Sequence, residues 1–339
     1  MDIRTQRPPI KAARTLADFG LICGFVFREG TRPRPMEPAD LHVAMNTPGN
    51  VVWLHFNATD ARVRRWLADS GAVPAEARAV LEERETRHRL ACVGDGLLVV
   101  INDLIYSDEV EIGEVATLWA FVTPRLMVTA RYRPLRGTDQ LRAEARAGLQ
   151  VRDGFQLLGR LLGCQVEAIE GFVDELIEEL DRAEDLILRD RVGGQREELG
   201  RIRRLCAHLR RHFRPQRAAI QKLAARPPQW LEESDLEGLR GVADDLGYLI
   251  DEAEHQQERA KILQEELGSR EAESHGRNLY VLTIYTVVFM PMTLISGIFG
   301  MNVAGLPGTE GRTSFWWVMF LIATAGVLTF AALLYRKRR

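Results

Sequence analysis

The sequence predicts an α+β cytoplasmic domain followed by a long stalk helix and two C-terminal transmembrane helices. Two runs near the C-terminus, 278–309 and 313–335, contain no charged residue, and each is long enough to cross about 30 Å of hydrocarbon. The chain up to Pro134 mixes short β-rich runs with short helical stretches, and the chain after Pro134 is patterned as helix almost to its end. A buried helical hairpin of a soluble protein is the alternative for the two apolar runs, but such runs are seldom this long.

The N-terminal part is expected to contain a partly antiparallel sheet. Its β-rich runs are Leu21–Phe27, Val51–Phe56, Arg89–Val93, Leu97–Ile101, Leu118–Val122 and Leu126–Ala130. Asp95-Gly96, which lies between two of these runs, is a hairpin-turn signal. Helical patterning covers Ala61–Asp69 and Ala75–Thr86. We therefore assign residues 1–150 to an N-terminal cytoplasmic α/β domain.

An acidic helix and a basic helix are predicted to follow. Residues 165–191 are strongly acidic, residues 196–225 are strongly basic, and Gly193-Gly194 separates them. This pattern favours an antiparallel hairpin with facing charges, which Pro227-Pro228 ends; two solvated faces are the alternative. Because an acidic neighbour accompanies the basic helix, nucleic acid is not expected as a partner.

A stalk helix is predicted from about Ser234, and no proline interrupts the chain between Pro228 and Pro291. Apolar or uncharged residues recur in steps of three and four at Leu239, Val242, Leu246, Leu249, Ala253, Gln256, Ala260, Leu263 and Leu267. A 3.5-residue period favours a coiled-coil seam between copies of the chain. A single amphipathic helix packed on its own domain is the alternative. Residues 151–277 are thus assigned to the hairpin and the stalk.

The membrane topology follows from charge. Residues 278–302 are predicted to be the first transmembrane helix, 303–312 a periplasmic loop, 313–335 the second transmembrane helix and 336–339 a basic cytoplasmic tail. Positive residues favour the cytoplasmic side, and the N-terminus shows no apolar signal segment, so both termini are expected in the cytoplasm. The predicted location is a bacterial-type inner membrane. No nucleotide-binding glycine loop is present, so ATP drive is not expected.

Two spans cannot enclose a pore, so transport through this chain would require an oligomer. In the first span Thr286 and Thr293 fall near one face by heptad spacing, with Leu282 and Met290 nearby, and Asn302 stands at the end. The alternative is that the hydroxyls only bond their own helix backbone. Neither span contains Asp, Glu, Lys, Arg or His, which suits a hydrated cation such as Mg²⁺, held by Asn302 through water. Leu282 and Met290 would gate the path by constriction and dewetting.

The motif Gly300-Met301-Asn302, which follows Phe289–Phe299, resembles the CorA family of metal-ion transporters. The two C-terminal spans, the basic tail and the long stalk helix match that family in the same order. The resemblance implies a CorA-like funnel made by a homopentamer, in which the first span lines the pore and Asn302 rings its outer mouth. The lining then comprises Gly300, Met301, Asn302, Thr293, Met290, Thr286 and Leu282.

The segment Val303–Gly308 is similar to the Gly-Gly-x-Pro loop of the zinc transporter ZntB branch, although Ala304 departs from the paired glycines. Arg131–Arg136 also resembles that branch. The resemblance therefore favours Zn²⁺ as the transported ion, with Mg²⁺ and Co²⁺ as alternatives. It implies no enzymatic activity and no cofactor, and the expected partners are other copies of the chain, the lipid bilayer and divalent cations.

Other polar groups of the chain are candidates for attracting or binding cations. Acidic neighbourhoods that could attract cations near the inner mouth comprise Glu252, His255, Glu271, Glu273 and His275, with exposed helix faces as the alternative. His208 and His212 have a metal-ligand spacing, but the arginines around them favour solvated or ion-paired histidines. A function of a different class is the alternative to transport: the protein would be a membrane-anchored sensor or scaffold whose spans only anchor it.

Overall fold

A computed structural model describes residues 20–36, 40–106, 113–189, 194–301, 311 and 313–337. Contacts divide the chain into two compact units, Met1–Leu263 (unit 1) and Gln264–Arg339 (unit 2). The predicted boundaries at 150 and 277 stay predictions. Asn302, most of the predicted loop and Gly193 lie outside the described residues, as does the end of the basic tail.

The described part of unit 1 contains seven strands and most of the helices. The strands are β1 (Leu21–Arg28), β2 (Thr31–Pro35), β3 (Asn50–Asn57), β4 (Arg89–Val93), β5 (Gly96–Leu104), β6 (Val115–Thr123) and β7 (Leu126–Arg131). The helices along the chain are α1 (Leu41–Asn46), α2 (Ala61–Ser70), α3 (Ala75–Glu82), α4 (Arg136–Ala147), α5 (Gly154–Leu188), α6 (Gln195–Ala225), α7 (Glu233–Phe299) and α8 (Ser314–Lys337). Each predicted strand is thus confirmed, and so is the helical patterning after Pro134.

The strands form one sheet in the order β2-β1-β3-β7-β6-β5-β4. Only the β3–β7 pair is parallel among the described strands, which confirms the partly antiparallel sheet. Alternate strand residues such as Leu54 and Val100 pack with α2 and α3 in one apolar core. Residues between them, such as Trp53 and Val99, are also buried, and α4 and α5 contact the same strands. The sheet is therefore covered on both faces.

Two local expectations need correction. The β4–β5 hairpin forms, but Gly96 pairs with Val93, so the turn residues are Gly94 and Asp95 and not Asp95 and Gly96. Gly94 has φ of 59°, a conformation that glycine adopts without steric cost. The helix that was expected to reach Thr86 ends at Glu82.

The charges of α5 and α6 face each other only in part. Arg201 of α6 pairs with Glu179 of α5 at 2.5 Å, as the hairpin pattern predicts. Arg210 of α6, however, pairs with Glu254 of α7 at 2.8 Å, and Arg259 of α7 pairs with Asp181 and Glu184 of α5. The acidic and basic helices therefore form a three-helix charge network with α7, because α7 lies against both of them.

The repeat in α7 is covered by the chain itself, which corrects the expectation of a seam between copies. All nine repeat positions are buried within a single chain; they are Leu239, Val242, Leu246, Leu249, Ala253, Gln256, Ala260, Leu263 and Leu267. Arg217 of α6 also donates a hydrogen bond to the carbonyl oxygen of Ala243 at 3.1 Å. The alternative of an amphipathic helix packed on its own domain is therefore correct for the part of α7 in unit 1.

Candidate ion path along helix α7

Unit 2 contains two helices that are long and apolar enough to cross a membrane, the C-terminal part of α7 and Phe315–Tyr335 of α8. No residue in the apolar window of α7 is buried within the chain. Apolar surface of this extent is stable only against hydrocarbon or against other apolar protein surface. Among the described residues, both helices therefore present faces that a bilayer or further copies of the chain must cover.

One side of α7 packs against α8. Its partly covered residues recur in steps of four and three at Ile284, Val288, Met292, Ile295 and Phe299. A Cβ atom placed on Gly326 of α8 would lie 2.6 Å from Cε of Met292. The absence of a side chain at Gly326 thus lets the two helices approach closely, as small residues do in transmembrane pairs.

The predicted pore residues lie on the opposite side of α7. We call Leu282, Thr286, Met290, Thr293 and Gly297 the threonine stripe. At 100° per residue these positions span about 80° of arc, and the centre of this arc lies roughly opposite the side that faces α8. Leu282 is 61% exposed and Met290 62% exposed. The four predicted pore-lining residues within the span, Leu282, Thr286, Met290 and Thr293, therefore lie on one helix face that the described part of the chain leaves uncovered.

The threonine hydroxyls donate to their own helix, as the alternative interpretation expected. Oγ1 of Thr286 donates to the carbonyl oxygen of Leu282 at 2.9 Å, and Oγ1 of Thr293 donates to that of Phe289 at 2.9 Å. This bond uses the hydroxyl proton and leaves the oxygen lone pairs free to accept. Each threonine can therefore still accept a hydrogen bond from a water molecule that surrounds a cation.

The C-terminal end of the stripe lies where α7 stops. The helix continues through Pro291 to Phe299, and the N–H of Gly300 donates to the carbonyl oxygen of Ser296 at 2.9 Å. Met301 is 52% exposed and adjoins the stripe. A groove of ≈ 630 Å³ runs along this side, lined by Thr286, Phe289, Met290, Thr293, Leu294, Gly297, Ile298 and Met301. Asn302 follows immediately but lies outside the described residues, so its role stays a prediction.

The charged residues of α7 lie in the part of the helix that precedes the apolar span, from Glu233 to Arg277. By helical spacing, Glu271 and His275 fall on the same side as the threonine stripe, whereas Glu273 falls about 180° away from Leu282. Glu273 lies 3.8 Å from Arg277. The predicted acidic group of Glu271, Glu273 and His275 is therefore divided between two sides of the helix.

The neighbourhood of Glu252 and His255 is largely compensated by basic and amide groups. Glu252 accepts a hydrogen bond from Gln256 at 2.6 Å. Glu254 pairs with Arg210 at 2.8 Å, and Glu258 pairs with Lys261 at 3.0 Å. Such pairing reduces the field that this part of α7 can exert on a cation.

The described residues contain no group of three or more His, Cys, Asp or Glu side chains that could hold a metal ion. A resident metal cage therefore does not arise from His208 and His212 within the described part of the chain. Sequence reasoning had missed Gly297 and Gly326. Gly297 leaves open space on the stripe, and Gly326 admits the side chain of Met292 where α7 and α8 pack. A glycine within an apolar span is the signal that indicates such a close contact.

Comparisons with known proteins agree with this architecture. The family model for the CorA-like Mg²⁺ transporter protein matches residues 48–338. The divalent cation transporter CmaX of Pseudomonas aeruginosa is 29% identical over 322 residues, covering 94% of this chain and 96% of CmaX. The zinc transport protein ZntB of Photorhabdus laumondii is 24% identical over 304 residues, covering 90% of this chain and 92% of ZntB. The solved structure of full-length CmaX matches with a TM-score of 0.81 at 28% identity, covering 95% of this chain and 98% of that one.

Proposed function

The chain belongs to the CorA-like Mg²⁺ transporter protein family, and from this premise we propose that it conducts hydrated divalent cations along the threonine stripe of α7. Its activity is membrane transport and not enzymatic catalysis. The observation that carries the proposal is the stripe itself: an uncharged, uncovered helix face with hydroxyl oxygens, on the side of α7 away from α8.

The chemistry of the stripe suits an ion that keeps its water. Residues 278–301 contain no carboxylate or imidazole that could replace the hydration shell of a dication. Thr286 and Thr293 offer oxygen lone pairs to water hydrogens, and Asn302 would add an amide oxygen at the outer mouth. Leu282 and Met290 supply apolar rings at which the path can close by dewetting.

A path requires several copies, because two helices leave the stripe open. The family resemblance implies a homopentamer, and five α7 helices with their stripes inward would enclose the path. The interface between copies would then use surfaces of α7 that are exposed in the single chain, since the repeat of unit 1 is already buried. The basic residues 336–339 after α8 support an orientation with both termini in the cytoplasm of a bacterial-type inner membrane.

Zinc is the proposed preferred ion, with Mg²⁺ and Co²⁺ as the alternatives. The support comes from the loop resemblance of Val303–Gly308 and from the similarity to a protein named as a zinc transport protein. The oxygen chemistry of the stripe does not select zinc, because hydroxyl and amide oxygens suit all three ions.

The test is metal influx into vesicles that contain the full chain, measured separately for Zn²⁺, Mg²⁺ and Co²⁺. Thr293→Val removes one hydroxyl without changing the side-chain shape, so flux should fall about fivefold for a lost interaction of ~1 kcal/mol. Asn302→Ala should reduce flux further. Thr324→Val is the matched control, because Thr324 of α8 is also exposed and donates to the carbonyl oxygen of Phe320 at 2.7 Å.

Equal losses in the Thr293 and Thr324 variants would refute the assignment of the stripe, and near-normal flux in Asn302→Ala would refute the outer ring. If the wild-type chain conducts no ion and is a monomer in detergent, the membrane-anchored sensor or scaffold is the better description. A faster influx of Mg²⁺ or Co²⁺ than of Zn²⁺ would reverse the proposed preference.

A further inference from the structure

Asn102 lies in the part of β5 that is no longer paired with β4. The β4–β5 ladder begins at the pair Arg89–Val100, so the backbone of Asn102 extends past the end of β4. The N–H of Asn102 donates to Oε1 of Gln216 in α6 at 3.0 Å, and its carbonyl oxygen accepts from Gln165 in α5. Gln216 also donates to Gln165 at 2.5 Å, and both glutamines are buried. Two helices thus satisfy the backbone groups that a strand would otherwise pair.

The side chain of Asn102 joins two histidines. Its Nδ2 lies 2.8 Å from Nδ1 of His212 in α6 and 3.4 Å from Nε2 of His88, and Thr117 donates to its Oδ1 at 3.2 Å. An amide nitrogen only donates, so each facing ring nitrogen must offer a lone pair. An imidazolium ion has no lone pair. The contact therefore holds only while both rings are neutral.

The surroundings also disfavour a positive charge on these rings. The ring of His208 lies 4.3 Å from that of His212, and the buried Nε2 of His208 has no hydrogen-bond partner among the described residues. Burial, together with repulsion from His208, Arg211 and His88, lowers the pKa of His212 to about 4. Burial also lowers the pKa of His88, although the backbone of His212 opposes this shift.

Among the described residues, few acidic groups near the cluster could offset this lowering of the histidine pKa values. Glu114, just before β6, faces His208 and pairs with Arg133 at 2.9 Å. Asp103 follows Asn102 on β5, but burial raises the pKa of its carboxyl group to about 7, and this group accepts the N–H of Gly137 at 2.9 Å, at the start of α4. α5 contributes the uncharged Gln165.

We propose that Asn102 and its partners His88, His212, Gln165 and Gln216 form an acid-sensitive latch that holds α6 on the edge of the sheet. A proton taken up by His212 or His88 turns an acceptor nitrogen into a donor that faces the donor amide of Asn102. The contact then opens and α6 loosens from β5. Arg210 of α6 pairs with Glu254 of α7, so a loosened α6 also changes how α7 packs within unit 1.

The size of the effect follows from linkage. His212 has a pKa of about 4 in the latch against an ordinary 6.5, so its contribution to latch stability is complete above pH 6.5 and is lost as the pH falls toward 4. At pH 5.5 the opening equilibrium would increase about tenfold for a fully enclosed ring. Since His212 is only half-buried, we expect roughly three- to tenfold.

The test is hydrogen–deuterium exchange of the full chain in detergent micelles with EDTA, at pH 7.5 and pH 5.5, corrected for intrinsic exchange rates. Amides in 97–104 and 203–216 should exchange three to ten times faster at the lower pH. His212→Gln and the double variant with His88→Gln should lose this response, because a glutamine oxygen accepts from Asn102 and does not titrate. His42→Gln is the matched control, since exposed His42 also contacts an asparagine, Asn46, at 3.1 Å.

Unchanged corrected exchange in the wild-type chain would overturn the latch, and this result needs no variant to fold. Slower exchange at pH 5.5 would also overturn it, because the amide of Asn102 would then present its oxygen to the rings. An acid response that persists in the double variant would place the sensor elsewhere. The readout is independent of ion flux, so the latch and the proposed transport function can fail separately.

Discussion

Replacing Gln216 with leucine tests whether two glutamines substitute for a strand at the edge of β5. Gln216 is fully buried and bonds both the backbone N–H of Asn102 and the side chain of Gln165. Leucine is similar in size but cannot form either bond. The Gln216→Leu variant therefore leaves one buried donor and one buried acceptor without partners.

Each of the two unsatisfied buried groups costs about 1–3 kcal/mol, so the free energy of unfolding should fall by roughly 2–6 kcal/mol. For a unit of this size about 1 kcal/mol corresponds to ~2–4 °C, which places the expected decrease in Tm at roughly 4–24 °C. Gln257→Leu is the matched control, because Gln257 is only partly buried and accepts one hydrogen bond from Arg210 at 2.9 Å. That variant should lose less than ~1 kcal/mol.

The assay is thermal unfolding of the full chain in detergent at pH 7.5, followed by tryptophan fluorescence. The tryptophans of unit 1 report its unfolding, because Trp53 and Trp119 are buried in it. Equal Tm values for the Gln216 and Gln257 variants would refute the reasoning. That outcome would mean that water, and not the glutamine pair, satisfies the edge of β5.

Two further predictions concern close packing and charge. Gly154→Ala would place a Cβ atom 2.1 Å from the carbonyl oxygen of Thr123, and should lower the free energy of unfolding by at least ~2 kcal/mol. Gly159→Ala, in the same helix with nothing within 4 Å, should be neutral or stabilising in the same thermal assay. Glu271→Gln should reduce vesicle flux at low ionic strength, whereas Glu273→Gln should not, because only Glu271 shares the side of the threonine stripe. Equal effects of the two glutamate variants would contradict this division.

The strands could be predicted closely because their signal is local. Runs such as Val51–Phe56 and Leu118–Val122 are rich in aromatic, aliphatic and β-branched residues, and they lie within β3 and β6. The turn between β4 and β5 was misplaced by one residue, because Gly94-Asp95 and Asp95-Gly96 both carry turn residues and only the pairing register separates them. The short edge strand β2, with prolines at two of its five positions, gave no clear strand signal.

The latch around Asn102 had no signal in the sequence. His208 and His212 were recognised as one helix face, but the arginines beside them suggested a solvated surface. These two histidines are partly buried because β4 pairs with β5 only as far as Val100. The edge of β5 at Asn102 is therefore open, and α6 packs against it. His88 and His212 are far apart in the chain, so only the folded sheet brings them to the same amide.

The two apolar spans and the helix face that carries Thr286 and Thr293 follow from the amino-acid sequence, because charge-free length and helical spacing are properties of a single segment. The end of the first span does not, because helix α7 ends at Phe299, before the predicted bound at 302. The partner of an apolar repeat is not such a property. Periods of 3.5 and 3.6 residues both describe the repeat from Leu239 to Leu267, and either a second copy or the same chain could cover it. The tertiary structure decides this: all nine positions of the repeat are already buried within one chain, so only the exposed faces of α7 are left for a bilayer or for further copies.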